Sequence, residues 1–194
     1  MKTTRQIAMA GLLSSLTVAL GFLLMAVPNV ELMTLVVFVS GSLLGVRGGA
    51  LVGACSMLIY SVVNPMGAAV PLVTAAQLVG MGMVGSVGAA GLRIRTAFRP
   101  RLARNVVFAA AGLALTFQYD FLTNLALGIS VGAVGPVLVA GILFSIVHLV
   151  SNALIFFFLA DVLISIRPRV RGQSGVLPSD ADPLGEGPDG ASRR

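Results

Sequence analysis

Long apolar runs, broken by short polar or basic segments, constrain this chain more than any other sequence feature. A bilayer-spanning helix needs about 20 predominantly apolar residues. Only 10% of the 194 residues are charged and the mean hydropathy is +0.98, which excludes a soluble globular enzyme, since soluble domains carry about 25% charged residues. The runs predict six transmembrane helices: Ile7–Val27, Leu32–Val46, Ala50–Val63, Pro71–Leu92, Val106–Ile129 and Val134–Ile166.

These runs predict an all-α integral membrane protein with one six-helix membrane domain over residues 1–166. The first run is longer than the 7–15 apolar residues of a signal-peptide core, so we expect a retained span. The second and third runs are short, and a re-entrant pair is the alternative to two full spans. Residues 167–194 are basic at first and then rich in Gly, Pro and Asp, which predicts a disordered tail.

The charge distribution predicts the orientation. The chain carries 13 Lys and Arg against 7 Asp and Glu. With six spans, every basic residue falls in the N-terminus, the second connection, the fourth connection or the tail, which share one side. Basic residues mark the cytoplasmic side, so both termini are expected in the cytoplasm. The net charge of +6 therefore indicates topology and not a nucleic-acid partner.

Small residues form a face on the first span. Ala8, Gly11 and Ser15 follow one another at steps of three and four residues. Such faces let helices approach closely in lipid. Two interpretations stay open for this face, namely packing inside the protein and docking onto another membrane protein.

Glycine pairs in the next spans favour packing inside the protein. Gly41 with Gly45, and Gly49 with Gly53, each form a GxxxG pair. The fourth span contains a GxGxxG pattern from Gly80. It lacks the preceding strand of a dinucleotide site, so it indicates a closely packed helix.

Polar side chains within and at the ends of the spans are the candidate binding residues. Burying them in hydrocarbon is costly, so they face a cavity or each other. With the predicted topology they lie mostly toward the outer side, where an apolar cavity with a few convergent polar groups is typical of a small-molecule site. The candidates, with their aromatic neighbours, are Asn29, Glu31, Tyr60, Asn64, Gln77, Phe117, Tyr119, Asp120, Phe121, Asn124, His148 and Asn152.

Four of these candidates share one face of the fifth span. Phe117, Asp120, Phe121 and Asn124 follow i, i+3, i+4 and i+7, a pattern suited to stacking on and hydrogen bonding to a flat polar ring. The alternative is an internal hydrogen-bond network, and His148 has the same two interpretations. The outer half contains no Lys or Arg, so a neutral or cationic ligand is expected.

Two further features bear on chemistry. Asp161, at the inner end of the last span, is predicted to pair with interfacial arginines in a structural role. The chain has no P-loop of the GxxxxGK[ST] type, so it does not hydrolyse ATP by that route. No catalytic residue, metal site or cofactor is predicted for this chain.

Five segments, in order, carry a family resemblance: Arg5–Ser15, Pro28–Leu32 (PNVEL), Tyr60–Pro65, Tyr119–Asn124 (YDFLTN) and His148–Asn152. Over about residues 5–166 the chain resembles the substrate-binding S components of energy-coupling factor (ECF) vitamin transporters. The resemblance implies six helices with both ends inside, in a bacterial or archaeal cytoplasmic membrane. It also implies capture of a vitamin from outside by a chain that is not itself an enzyme.

The resemblance further implies partners. S components dock on a membrane T component that works with two ABC ATPases, and those ATPases use the ATP. The family's AxxxA docking motif on the first helix corresponds here to Gly11 and Ser15, with Ala8 one turn earlier.

Alternatives stay open for the identity of the substrate and for the functional class of the protein. The PNVEL and YDxxTN segments look like those of predicted carriers of cobalamin precursors such as a benzimidazole; riboflavin, thiamine and a queuosine precursor remain alternatives. The rival class is a small intramembrane enzyme, in which His148 would pair with a serine such as Ser40, although no GxSG motif occurs. Another kind of small-molecule membrane carrier is a further alternative. The third class is a purely structural membrane subunit, and the polar residues within the spans argue against it.

Overall fold

The computed structural model describes residues 4–65, 67, 70–91 and 100–172, and within these ranges the chain is helical with no strand. Each helix contains a stretch long and apolar enough to cross a membrane, in agreement with the predicted all-α membrane class. Residues 167–172 of the predicted tail belong to the last helix, and the rest of that tail lies outside the described residues. The helices are α1 (Thr4–Leu23), α2 (Met33–Val63), α3 (Pro71–Gly88), α4 (Arg101–Ser130) and α5 (Val134–Gly172).

A sharp break interrupts α2 at Gly45, where φ is 79° and ψ is −179°. This backbone region is accessible almost only to glycine. The chain reverses there, because a methyl group on Gly49 would lie 2.5 Å from Gly41 Cα, and one on Gly53 would lie 3.0 Å from Val37 Cγ1. Eight residues of unbroken helix would separate Gly41 from Gly49 by about 12 Å. α2 is therefore a hairpin of two antiparallel arms.

The two arms of α2 correspond to the second and third predicted spans. The first arm, residues 33–44, covers about 18 Å and the second, residues 46–63, about 27 Å. The pairing of Val37 with Gly53 sets Met33 opposite Met57, and both line the same cavity. The first arm therefore begins about 9 Å short of the end of the second.

Glycines bring α3 into backbone contact with both arms of α2. A methyl group on Gly41 or on Gly49 would collide with the carbonyl oxygen of Gly85, and Gly53 packs against the α3 backbone as well. The predicted packing role is thus confirmed for these glycines. Gly45 is different, because it forms the break and a methyl group there would meet nothing within 4 Å.

Three buried phenylalanines join α2, α4 and α5. Phe38 packs edge-to-face against Phe108 and Phe156, with ring centroids 6.1 and 5.3 Å apart. Aromatic rings favour this arrangement because the positive edge of one meets the negative face of the other. These rings belong to the buried apolar core, which contains residues of α2, α3, α4 and α5.

The end of the bundle that holds Arg101 and Arg104 is called the basic end. Asp161 of α5 forms ion pairs with both arginines of α4, at 2.5 Å and 2.6 Å respectively, which confirms its predicted structural role. The start of α1 lies near the α2 turn, where Gln6 and Gly48 line one small cavity. The opposite end, which holds the connection between α1 and α2, is called the loop end.

Candidate functional site

The connecting loop, residues 24–32, joins α1 to α2 and is anchored to α5. Asn29 has a positive φ of 57°, which asparagine tolerates better than most residues. Its carbonyl oxygen accepts a hydrogen bond of 2.8 Å from Ser151 Oγ. Glu31 Oε2 accepts a bond of 2.9 Å from the backbone N–H of Thr34, which satisfies one of the unpaired amides in the first turn of α2. The loop therefore holds Glu31 in a fixed position.

Side chains from the loop, α4 and α5 meet in a polar cluster of Glu31, Asp120, His148 and Asn152. His148 Nδ1 lies 2.8 Å from Asp120 Oδ1, and His148 Nε2 lies 3.5 Å from Glu31 Oε1. Asn152 Nδ2 donates to the same Glu31 oxygen at 3.1 Å. His148 and Asn152 both reach Glu31 because residues four apart share a helix face.

The polar cluster contains more acceptors than donors. A carboxylate only accepts hydrogen bonds, so His148 Nδ1 carries the proton that bonds Asp120. Asp120 Oδ2 and Asn152 Oδ1 are buried with no donor among the described residues. The cluster thus combines two carboxyl groups with a single basic side chain, His148.

The protonation of Glu31 depends on its neighbours. Burial raises its pKa, but the hydrogen bond and the charge of His148, together with the hydrogen bonds of Thr34, outweigh that effect. The pKa of Glu31 is therefore lowered from its ordinary value of 4.5. Glu31 is ionised at neutral pH.

A cavity of about 230 Å³, called the main cavity, lies beneath the connecting loop and beside the polar cluster. Glu31 and His148 supply its charged wall. Tyr119 supplies an aromatic wall, with its ring edge-on to His148 at 6.4 Å and its hydroxyl 3.7 Å from Met57 Sδ. Tyr60 lies on another side and packs against Phe22 of α1 at 5.0 Å. The main cavity is thus a partly enclosed, mostly apolar space with polar groups at one wall, the usual form of a small-molecule site.

The structure brings five of the twelve predicted binding residues to this cavity. Asn29, Glu31, Tyr60, Tyr119 and His148 line it. Of the other residues in the polar cluster, Asn152 is fully buried and bonds Glu31, while Asp120 bonds His148.

Two other predicted residues lie in a separate cavity of about 150 Å³ that also touches Tyr60. Asn64 and Gln77 line it, and the Gln77 side-chain oxygen accepts a hydrogen bond of 2.8 Å from Ser61 Oγ. This bond joins the second arm of α2 to α3. The structure therefore places Gln77 in an interhelical contact beside the main cavity.

The remaining three predicted binding residues lie in a lateral groove of about 210 Å³ between α4 and α5. Phe117, Phe121 and Asn124 line this groove together with Asp120, as expected from their shared helix face. The two phenyl rings stack at 6.2 Å with an interplanar angle of 19° and are 59% and 45% exposed. The Asp120–His148 pair separates the lateral groove from the main cavity.

The main cavity is also lined by residues that the sequence pattern does not predict. Met33, Met57 and Met81 line it from α2 and α3, and their flexible thioethers suit contact with aromatic ligands. In the sequence they are indistinguishable from other apolar residues of the spans. Ser151 could have been found, because it lies inside the His148–Asn152 segment.

The described ranges contain no group of three or more His, Cys, Asp or Glu arranged to hold a metal ion. Comparison of the chain with protein-family models, with curated proteins and with solved structures gives no match. The geometry of the main cavity and its polar cluster is therefore the basis for a functional assignment.

Proposed function

We propose that this chain is the substrate-binding S component of an ECF-type importer, which captures a vitamin or vitamin precursor from outside. The observation that carries this proposal is the main cavity, which is bounded by the connecting loop and by residues of α1, α2, α3, α4 and α5. A cavity built from that many segments and lined by fixed polar groups is suited to binding a small molecule.

The proposed topology has six spans, with the two arms of α2 as the second and third. It places the basic end in the cytoplasm, because all 13 basic residues then lie on that side. The first arm is shorter than the roughly 30 Å hydrocarbon core. The polar cluster would accordingly lie within the outer leaflet, with the connecting loop between it and the external solution.

The proposed docking face for a T component is formed by Ala8, Gly11 and Ser15 of α1. All three are exposed, and a methyl group on Gly11 would meet nothing within 4 Å. Since α1 packs chiefly against α2, this face is open to another membrane helix. The two ABC ATPases would bind through the T component, and the chain itself would hold no cofactor.

The contacts of His148 favour a carrier over an intramembrane enzyme. Its two ring nitrogens face Asp120 and Glu31. The hydroxyl of Ser40, the serine considered as a nucleophile, donates to the Val37 carbonyl at 2.6 Å. A serine nucleophile needs a histidine within hydrogen-bond reach to accept its proton, and this pair does not provide that arrangement.

For the substrate, we propose a benzimidazole-type cobalamin precursor first, with riboflavin, thiamine and a queuosine precursor as alternatives. The test is to purify the chain from cells in mild detergent and to identify co-purifying small molecules by mass spectrometry. A thermal-shift panel of these compounds would follow. A bound vitamin or precursor is expected, and the absence of any co-purifying molecule together with no thermal shift would contradict the proposal.

A further inference from the structure

The main cavity and the polar cluster together indicate the charge of the ligand, an inference that rests on the proposed binding function. Glu31 and His148 meet at one wall of the main cavity, and Asp120 holds His148 from the side of the lateral groove. Among the described residues no lysine or arginine lines the main cavity. An anionic ligand would therefore face negative charge without a cationic partner other than His148.

The hydrogen bonds of the two carboxylates differ. Asp120 holds His148 Nδ1 at 2.8 Å, whereas the distance from Glu31 Oε1 to His148 Nε2 is 3.5 Å. Charge-assisted N–H···O bonds are usually about 2.7–2.9 Å long, so the second contact is weak. Glu31 lines the main cavity, while Asp120 lines the lateral groove on the other side of His148.

Each carboxylate oxygen can accept more than one hydrogen bond. Glu31 Oε2 accepts from the Thr34 N–H at 2.9 Å, and Oε1 accepts from Asn152 Nδ2 at 3.1 Å. These bonds fix the orientation of the carboxylate and leave capacity at Oε1 for a donor from the main cavity. The aromatic and thioether walls of Tyr119, Met57 and Met81 suit a flat molecule.

We propose that the main cavity selects planar N–H donors and, among molecules of matched shape, prefers cations to anions, with Glu31 as the carboxylate that receives the ligand N–H. Asp120 is a positioning residue, because it acts on the ligand only by holding His148. The site thereby rejects vitamins and precursors whose recognition depends on a free carboxylate.

Benzamidine, benzamide and benzoate test this inference, because they have nearly the same planar shape but are cationic, neutral and anionic at neutral pH. Their affinities for the full chain would be measured by titration calorimetry in detergent. We expect benzamidine to bind about tenfold or more tighter than benzoate, with benzamide between them. This comparison of the three probes uses only the wild-type chain, so its result does not depend on whether a mutant folds.

Single substitutions distinguish the roles of the two carboxylates in ligand binding. In Glu31→Gln the preference for benzamidine over benzoate is expected to disappear, whereas in Asp120→Asn all three probes weaken by a similar factor and the order is kept. Glu186→Gln, which changes the only other glutamate of the chain, is the matched control and is expected to keep the wild-type affinities.

The outcomes distinguish this inference from the proposed function. If benzoate or a carboxylate vitamin binds as tightly as benzamidine, the charge selectivity is wrong but the binding function stands. If Asp120→Asn removes the preference and Glu31→Gln keeps it, the assignment of the two carboxylates is wrong. If neither the probes nor any compound of the vitamin panel binds, both the inference and the proposed function fail.

Discussion

The main cavity and the lateral groove are nearly equal in volume, about 230 and 210 Å³, and the same Asp120–His148 pair lies between them. They differ in what surrounds them. The connecting loop covers the main cavity, and side chains from separate segments hold its polar wall in place. The lateral groove is lined by two helices only, and its phenyl rings are exposed. Volume alone therefore does not distinguish the two spaces, whereas the fixed polar wall favours the main cavity as the proposed binding site.

The strongest test of this difference is His148→Ala. The change removes the group between two partly buried carboxylates, and loss of one partner from a fully buried charged pair costs about 3–5 kcal/mol, which sets an upper limit here. We expect a lower melting temperature and a loss of affinity for the co-purified ligand of about 100-fold. Thermal unfolding and titration calorimetry in detergent would measure the two effects.

Ser145→Ala is the control for that variant. Ser145 lies on the same helix and lines the lateral groove, so its truncation should leave ligand affinity unchanged. Equal losses of affinity in the two variants would contradict the assignment of binding to the main cavity.

Two aromatic residues of α4 provide a smaller and better matched comparison. Tyr119 lines the main cavity, and Phe117, two residues earlier, lines the lateral groove. Tyr119→Leu should weaken ligand binding by about tenfold, since an aromatic contact contributes about 0.5–1.5 kcal/mol beyond its area and the hydroxyl is also lost. Phe117→Leu should change it by less than about twofold. The opposite order would make the lateral groove the binding site.

The same two residues show how far the sequence predicts the site. Tyr119 is a predicted candidate as a polar residue of the fifth span, and Phe117 as an aromatic neighbour. The helical spacing of Phe117, Asp120, Phe121 and Asn124 correctly predicts one shared face. Spacing along one helix does not say which neighbour that face meets. The face lies toward α5 and the lateral groove, whereas Tyr119 reaches the main cavity from the adjacent face.

The hairpin of α2 shows a similar limit on how far the fold can be predicted from the sequence. The apolar runs predict two short spans, and the structure has two antiparallel arms there. Arg47 with its adjacent glycines suggests a turn after Val46, but the break lies at Gly45, because only that residue has the backbone conformation that reverses the chain. The contacts of Gly41 and Gly49 with Gly85 depend on tertiary packing, which the GxxxG spacing alone does not specify.

The acid response of the chain should depend on Glu31, with a smaller effect than the truncations above. Because its pKa is lowered in the folded state, the stability that it contributes is fully present above its unfolded pKa and is lost as the pH falls through the folded value. The difference in melting temperature between wild type and Glu31→Gln should therefore be constant at neutral pH and shrink below about pH 4.5. Melting curves between neutral and acidic pH would measure this. A constant difference across the range would contradict the lowered pKa.

The smallest effect on the isolated chain is expected from Gly11→Leu, far from both cavities. A methyl group on Gly11 meets nothing within 4 Å, and surface changes away from special features usually alter stability by less than about 0.5 kcal/mol. Ligand affinity and melting temperature should therefore be kept, while co-purification with a T component is lost because the leucine blocks close helix approach. Leu16→Ala, about 100° around α1 from Ser15, is the control and should keep the association. If Gly11→Leu instead reduces ligand binding, the docking face and the main cavity are not independent, and the first helix contributes to the site through more than Gly21.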